Sequence, residues 1–139
     1  MNRRDFIALT STAAVTLVLP LGARAAALPY TPDLLSQRLA AGETVFLDFK
    51  ASWCSTCAAQ GRVIAALKEE NPAYVERITF IDVDWDEYGR SAIVQEMKIP
   101  RRSTLVVLRG DQELGRIVAQ TGRAEIKALM DTALEAASA

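Results

Sequence analysis

The sequence predicts a single α/β domain, and three observations carry that prediction. Val45–Phe49 is a short apolar run, broken only by Asp48, with the length and the Val and Phe content of a buried strand. Beyond Cys57 the apolar residues switch to a helical period, with Val63, Ile64 and Leu67 on one face and Ala58, Gln60, Arg62, Lys68 and Glu69 around it. The rest of the chain continues in the same vein, giving the order helix, strand, helix, strand, helix, strand, strand, helix. Such alternation favours helices laid on a sheet.

The elements follow in chain order. Asn2-Arg3-Arg4-Asp5-Phe6-Ile7 resembles the twin-arginine export motif. A moderately apolar stretch runs to Leu21, diluted by Thr10, Ser11, Thr12 and Thr16 and carrying Pro20, and Ala23-Arg24-Ala25 supplies a small-x-small cleavage site. The stretch is shorter and more polar than the ~20 apolar residues of a spanning helix. We therefore expect residues 1–25 to be a signal peptide cleaved after Ala25, with a retained anchor as the alternative, and residues 26–139 to form the domain. Residues 26–29 read as an irregular lead-in. Thr31 caps a first helix with Pro32 in its first turn, Leu34, Leu35 and Leu39 form its stripe, and Gly42 ends it. After the central strand and its helix, Asn71-Pro72 is a stop. Ile78–Asp84 reads as a second buried strand. Asp84-Trp85-Asp86-Glu87 then reads as a solvated helix start rather than a metal site, because carboxylates there complement the helix dipole. The helix that follows carries Ile93, Val94 and Met97. Thr104–Leu108 and Glu113–Ala119 form a hairpin around Arg109-Gly110-Asp111-Gln112. Thr121-Gly122 opens a last helix with Ile126, Leu129, Met130, Ala133 and Leu134 on its core face, and residues 136–139 fray.

Composition narrows the chemistry. With 139 residues the chain has room for one domain and a modest core. A formal net charge of −1 leaves no electrostatic footprint for nucleic acid or an anionic membrane. Loss of residues 1–25 removes Arg3, Arg4, Arg24 and Asp5, so the mature domain is more acidic than the precursor. There is no histidine, which removes Ser-His and Cys-His nucleophile pairs and imidazole-ligated metals. Cys54 and Cys57 are the only two cysteines, half of a tetrahedral zinc site with no second soft pair to complete it.

Those cysteines sit where a buried strand hands over to a helix. Unpaired N–H groups and the dipole at a helix N-terminus favour an anion, and thiolate is the attacking form of cysteine. Cys54, at the helix start, is expected to carry the lower pKa and the more exposed sulfur, while Cys57 lies one turn on and closes a small-ring disulfide. In an oxidising compartment the pair can also be an inert structural bridge. A bridge across two residues constrains the unfolded chain little, which favours redox function.

The segment Asp48-Phe49-Lys50-Ala51-Ser52-Trp53-Cys54-Ser55-Thr56-Cys57 resembles the thioredoxin active-site segment, Asp-Phe-Trp-Ala-x-Trp-Cys-Gly-Pro-Cys. The resemblance implies the thioredoxin fold, a central mixed β-sheet flanked by helices on both faces, over residues 31–136. It also implies a helix kink near Gly61. Cys54 then attacks or is attacked, Cys57 resolves the mixed disulfide, and Asp48, buried with a raised pKa, assists proton transfer unless Lys50 pairs with it and lowers that pKa. Trp53 packs over the site and shapes access. No organic cofactor and no metal is required.

Three departures stand out. Lys50 occupies the place of a tryptophan, and Ser55-Thr56 replaces Gly-Pro, the two residues that tune potential in the family over roughly −270 to −120 mV. Aligned on Thr104-Leu105, Ser103 holds the position of the family's cis-proline, so the Arg102–Ser103 bond is expected to be trans and the substrate groove reshaped. Arg101 and Arg102 either act on the thiolate and on acidic partners or form a solvated basic pair.

The expectation is a periplasmic, monomeric thiol-disulfide oxidoreductase. It reduces protein disulfides through Cys54-Ser55-Thr56-Cys57 and draws electrons from a membrane-bound thiol reductant. The close alternative is a thiol oxidant that supplies disulfides. A Cu(I)-binding module and a non-catalytic interaction domain are more distant, the former disfavoured by the missing histidine.

Overall fold

The computed structural model describes residues 26–139, so the expected export signal and its cleavage point lie outside the described residues. Five strands form one sheet in the order β1-β3-β2-β4-β5. They are β1 (Leu28–Pro29), β2 (Thr44–Lys50), β3 (Ile78–Asp84), β4 (Thr104–Arg109) and β5 (Gln112–Val118). β2 runs parallel to β3 and antiparallel to β4, and β4 pairs antiparallel with β5. The sheet is therefore mixed. The lead-in expected to be irregular instead adds an edge strand, with Leu28 opposite Ile81 and Pro29 opposite Asp82. Proline is tolerated there because an edge strand need not donate every N–H.

Among the described residues six helices cover the sheet: α1 (Pro32–Ala40), α2 (Ser55–Glu70), α3 (Ala73–Arg77), α4 (Trp85–Tyr88), α5 (Ala92–Glu96) and α6 (Arg123–Ser138). Thr31 Oγ1 accepts the Leu34 N–H at 3.1 Å, the expected cap of α1, and Gly42 takes φ +80° just past its end. α2 runs unbroken through Gly61 and ends at Asn71. The single helix expected after β3 is two short ones. Gly89 ends the first, where an added Cβ would lie 2.6 Å from the Trp85 carbonyl oxygen. α3 was not expected; it buries Tyr74, whose hydroxyl donates to Asp131 of α6. The tail does not fray as expected, since α6 continues to Ser138, whose hydroxyl accepts from Arg77 at 2.8 Å.

Because side chains alternate across a strand, β2 feeds both layers. Phe46 faces Ile64, Leu67, Leu105, Ile126 and Met130, under α2 and α6. Val45, Leu47 and Phe49 face Ile81, Val83, Ile93 and Val106, under α1, α4 and α5. β2 is thus buried on both faces, which is why its sequence is a continuous apolar run. Asp48 shares the face of Phe46 and is the carboxylate within that run.

Candidate active site

β2 and β3 are parallel and in register, so both deliver their C-terminal ends to the same edge, with Lys50 opposite Asp84. Open α/β sheets place their sites at such edges. Trp53 and Cys54 follow β2 there, Trp85 and Asp86 follow β3, and the entry to antiparallel β4 brings Arg102 and Ser103 to meet them.

Cys54 is the N-cap of α2 and its Sγ accepts the Cys57 N–H at 3.1 Å. The sulfur therefore takes one of the N–H groups that the first turn cannot satisfy internally. Cys54 and Cys57 are joined as a disulfide with Cα atoms 5.2 Å apart. Both cysteines are buried: Cys54 is 3% accessible and Cys57 1%, so Cys54 is the more accessible of the two, as expected, by a small margin. The covering groups are Ala51, the half-buried Trp85 and Ser103. Ser55 is exposed and Thr56 half-buried on the first turn of α2.

Ser103 lies at the centre. It is fully buried, and its hydroxyl oxygen is 3.2 Å from Cys54 Sγ and 3.1 Å from Cys57 Sγ. No peptide among the described residues is cis, so the Arg102–Ser103 bond is trans, and Ser103 takes φ +63°. A non-glycine residue in this left-handed region costs of order 1 kcal/mol or more and persists only where its surroundings hold it. Here the Ser103 N–H donates to the Phe49 carbonyl at 2.7 Å, and the Ser103 carbonyl accepts from Ala119 N at 2.9 Å and Gln60 Nε2 at 3.0 Å. Gln60 is also fully buried and donates to the Gln120 carbonyl at 2.9 Å, tying α2 to both sides of the hairpin.

Trp53 does not pack down over the cysteines as expected. It is 58% exposed, its indole N–H donates to the Asp86 carboxylate at 2.9 and 3.2 Å, and the Arg102 guanidinium lies 4.5 Å from its ring centre. Trp85 is the tryptophan against the disulfide. Of the two readings of the arginine pair, Arg102 belongs to this rim, stacked on Trp53. Arg101 donates to the Arg102 carbonyl at 3.1 Å.

Asp48 is 6% exposed, and its Oδ1 has no hydrogen-bond partner among the described residues. Burial, and then the facing Asp82 carboxylate, push its pKa from 3.8 up to about 7, against the pull of Lys50 and Lys68. Lys50 pairs with Asp82, 3.8 Å away, so the lowering of the Asp48 pKa that a direct Lys50 pair would bring does not prevail. Asp48, Lys50, Ile64, Lys68 and Asp82 line one cavity of about 560 Å³ between sheet and α2. Through it the carboxyl reaches solvent.

Sequence reasoning missed Trp85, Asp86 and Gln60 as site residues. The parallel pairing of β2 with β3 is the signal that could have found the first two, because it forces the residues after both strands together. Gln60 shows no such signal, for a polar residue at a helical core position has many uses.

The fold and the site define an α/β domain carrying a Cys-x-x-Cys pair at a strand–helix junction, with a buried carboxyl on the strand that leads to it. The thioredoxin family model matches residues 28–132, and the chain belongs to that family. A thioredoxin H-type of Fagopyrum esculentum is 32% identical over 77 residues, which cover 55% of this chain and 61% of that relative's own length. Among solved structures, Trxlp of Edwardsiella tarda superposes with TM-score 0.64 at 28% identity, covering 75% of this chain and 98% of that one. The thioredoxin of Malassezia sympodialis gives TM-score 0.66 at 25% identity, covering 78% and 93%.

Proposed function

We propose that the protein is an exported thiol-disulfide oxidoreductase that reduces protein disulfides in the periplasm. The observation that carries the redox chemistry is the Cys54 sulfur at the N-cap of α2, accepting the Cys57 N–H and joined to Cys57. The same N–H favours a thiolate when the bond opens. In the reductive direction the Cys54 thiolate attacks a substrate disulfide and releases one substrate thiolate. Cys57 loses its proton to the Asp48 carboxylate or to solvent base, then attacks Cys54 Sγ and releases the second thiolate. The two electrons that reduce the substrate leave the cysteine pair as a disulfide. A membrane-bound thiol reductant then restores the dithiol, and the protein acts as a monomer.

A Cys57→Ser variant tests the order of events: it accumulates a mixed disulfide through Cys54, whereas Cys54→Ser accumulates none. Equal trapping by both variants would sink the assignment. Export rests on Arg3-Arg4 and the Ala23-Arg24-Ala25 cleavage pattern. Replacing both arginines by lysine in the full chain holds the protein in the cytoplasm, as fractionation would read.

A second reading has a specific observation in its favour. Hydrogen bonds to Cys54 Sγ stabilise the reduced, thiolate form, and stabilising that form makes a disulfide more oxidising. Equilibration with glutathione separates a reductase near the thioredoxin end from a thiol oxidant near the other.

A further inference from the structure

We infer that the Ser103 hydroxyl is a catalytic hydrogen-bonding group that follows the negative charge between the two sulfurs during exchange. The inference rests on the redox reading of the cysteine pair. Ser103 Oγ is nearly equidistant from Cys54 Sγ and Cys57 Sγ, at 3.2 and 3.1 Å. A hydroxyl has one proton to donate and lone pairs to accept with. In the disulfide neither sulfur carries a proton, so the hydroxyl can only donate; once the bond opens it donates to one sulfur while it accepts from the other.

In the dithiol this gives one chain: the Cys57 S–H donates to Ser103 Oγ, and the Ser103 O–H donates to the Cys54 thiolate. The negative charge is thereby placed on Cys54, and Cys57 stays protonated. When Cys54 forms the S–S bond to substrate, its sulfur becomes neutral and no longer holds the donor. Cys57 gives up its proton to the Asp48 carboxylate or solvent base. The Ser103 hydroxyl then turns and donates to the new Cys57 thiolate, which attacks Cys54 Sγ and expels the substrate thiolate. Ser103 neither gains nor loses a proton as the pair is oxidised; it reorients once, and re-reduction of the pair returns it.

The backbone is built to hold the oxygen there. Ser103 is fully buried at φ +63°, with its N–H and carbonyl both bonded, so the side chain is fixed at the sulfurs rather than free to sample solvent. No protein hydrogen bond other than those to the sulfurs engages the hydroxyl among the described residues.

The test is a pair of variants, Ser103→Ala and Ser103→Gly, in the otherwise intact chain. Both remove the hydroxyl. Alanine keeps the Cβ at positive φ, whereas glycine relieves it, so a folding defect in the first leaves the second to be read. The readouts are the ultraviolet thiolate titration of the reduced protein and the equilibrium with glutathione. A charge-assisted hydrogen bond predicts that the Cys54 titration moves up by about one pH unit in each variant. The glutathione equilibrium moves about tenfold toward the disulfide. A wild-type pair that opens and titrates, together with variants that titrate identically to it, overturns the role of the hydroxyl alone. A wild-type pair that strong dithiols fail to open overturns the redox reading and this inference with it.

Discussion

Asp48 carries the sharpest expectation at the scale of a single residue. Its carboxyl titrates at about 7 when folded and from 3.8 when not. Between those values the folded chain holds a proton that the unfolded chain has released, so this group's contribution to stability falls as pH rises through the window. The penalty is absent below the lower value and complete above the upper one. Asp48→Asn is therefore stabilising relative to wild type at about pH 8 and much less so at about pH 4, with a ceiling of about 4 kcal/mol. Urea unfolding at the two pH values checks it; a constant difference would place the titration elsewhere. On the proposed role of Asp48 as the base, the same variant lengthens the lifetime of the mixed disulfide by about a hundredfold above pH 7. Asp48 was readable in the sequence as a carboxylate inside an apolar strand. The groups that set its pKa were not all readable, because Asp82 faces it only through the register of β2 and β3.

At the scale of elements, α2 is held in two ways. Ile64 and Leu67 seat its apolar face on the sheet beside Phe46, and Gln60 ties it to the hairpin at the Ser103 and Gln120 carbonyls. Leu67→Ala opens a cavity in that layer and costs about 2–5 kcal/mol in urea unfolding. Gln60→Ala leaves the Gln120 carbonyl without this donor and costs about 1–3 kcal/mol. It also loosens the Ser103 backbone, so the Gln60 variant alters the glutathione equilibrium where the Leu67 variant alters mainly stability. An unchanged equilibrium in Gln60→Ala would limit that residue to packing. The Leu67 stripe was legible from helical spacing. The break between α4 and α5 was not, because it depends on the approach of Gly89 to the Trp85 carbonyl, a contact with no periodic signature.

For the whole molecule, the edge strand offers a test of where the fold begins. Leu28 pairs with Ile81, and Tyr30, 7% exposed, packs edge-to-face on Tyr88 with ring centres 4.8 Å apart. A chain starting at Ala26 keeps these contacts and is expected to melt like the longer chain. One starting at Thr31 loses the edge strand and an aromatic from the α1 layer, and melts several degrees lower, since about 1 kcal/mol moves the midpoint of a domain this size by about 4–8 °C. Thermal unfolding of the two truncations checks the boundary; equal midpoints would make β1 dispensable.

Local pattern by itself determined the alternation of strands and helices, the placement of Cys54 and Cys57 at a helix start, and the candidacy of Asp48, because period, length and capping chemistry act within a few residues. Ser103 was reached by counting back from Thr104-Leu105, but its left-handed backbone and its contact with both sulfurs were not in the count. Burial of Cys54, the exchange of roles between Trp53 and Trp85, the Trp53–Asp86 bond and the charge balance around Asp48 were decided only by tertiary structure. Each joins segments far apart in the chain, and their meeting is set by strand order and register rather than by any local preference.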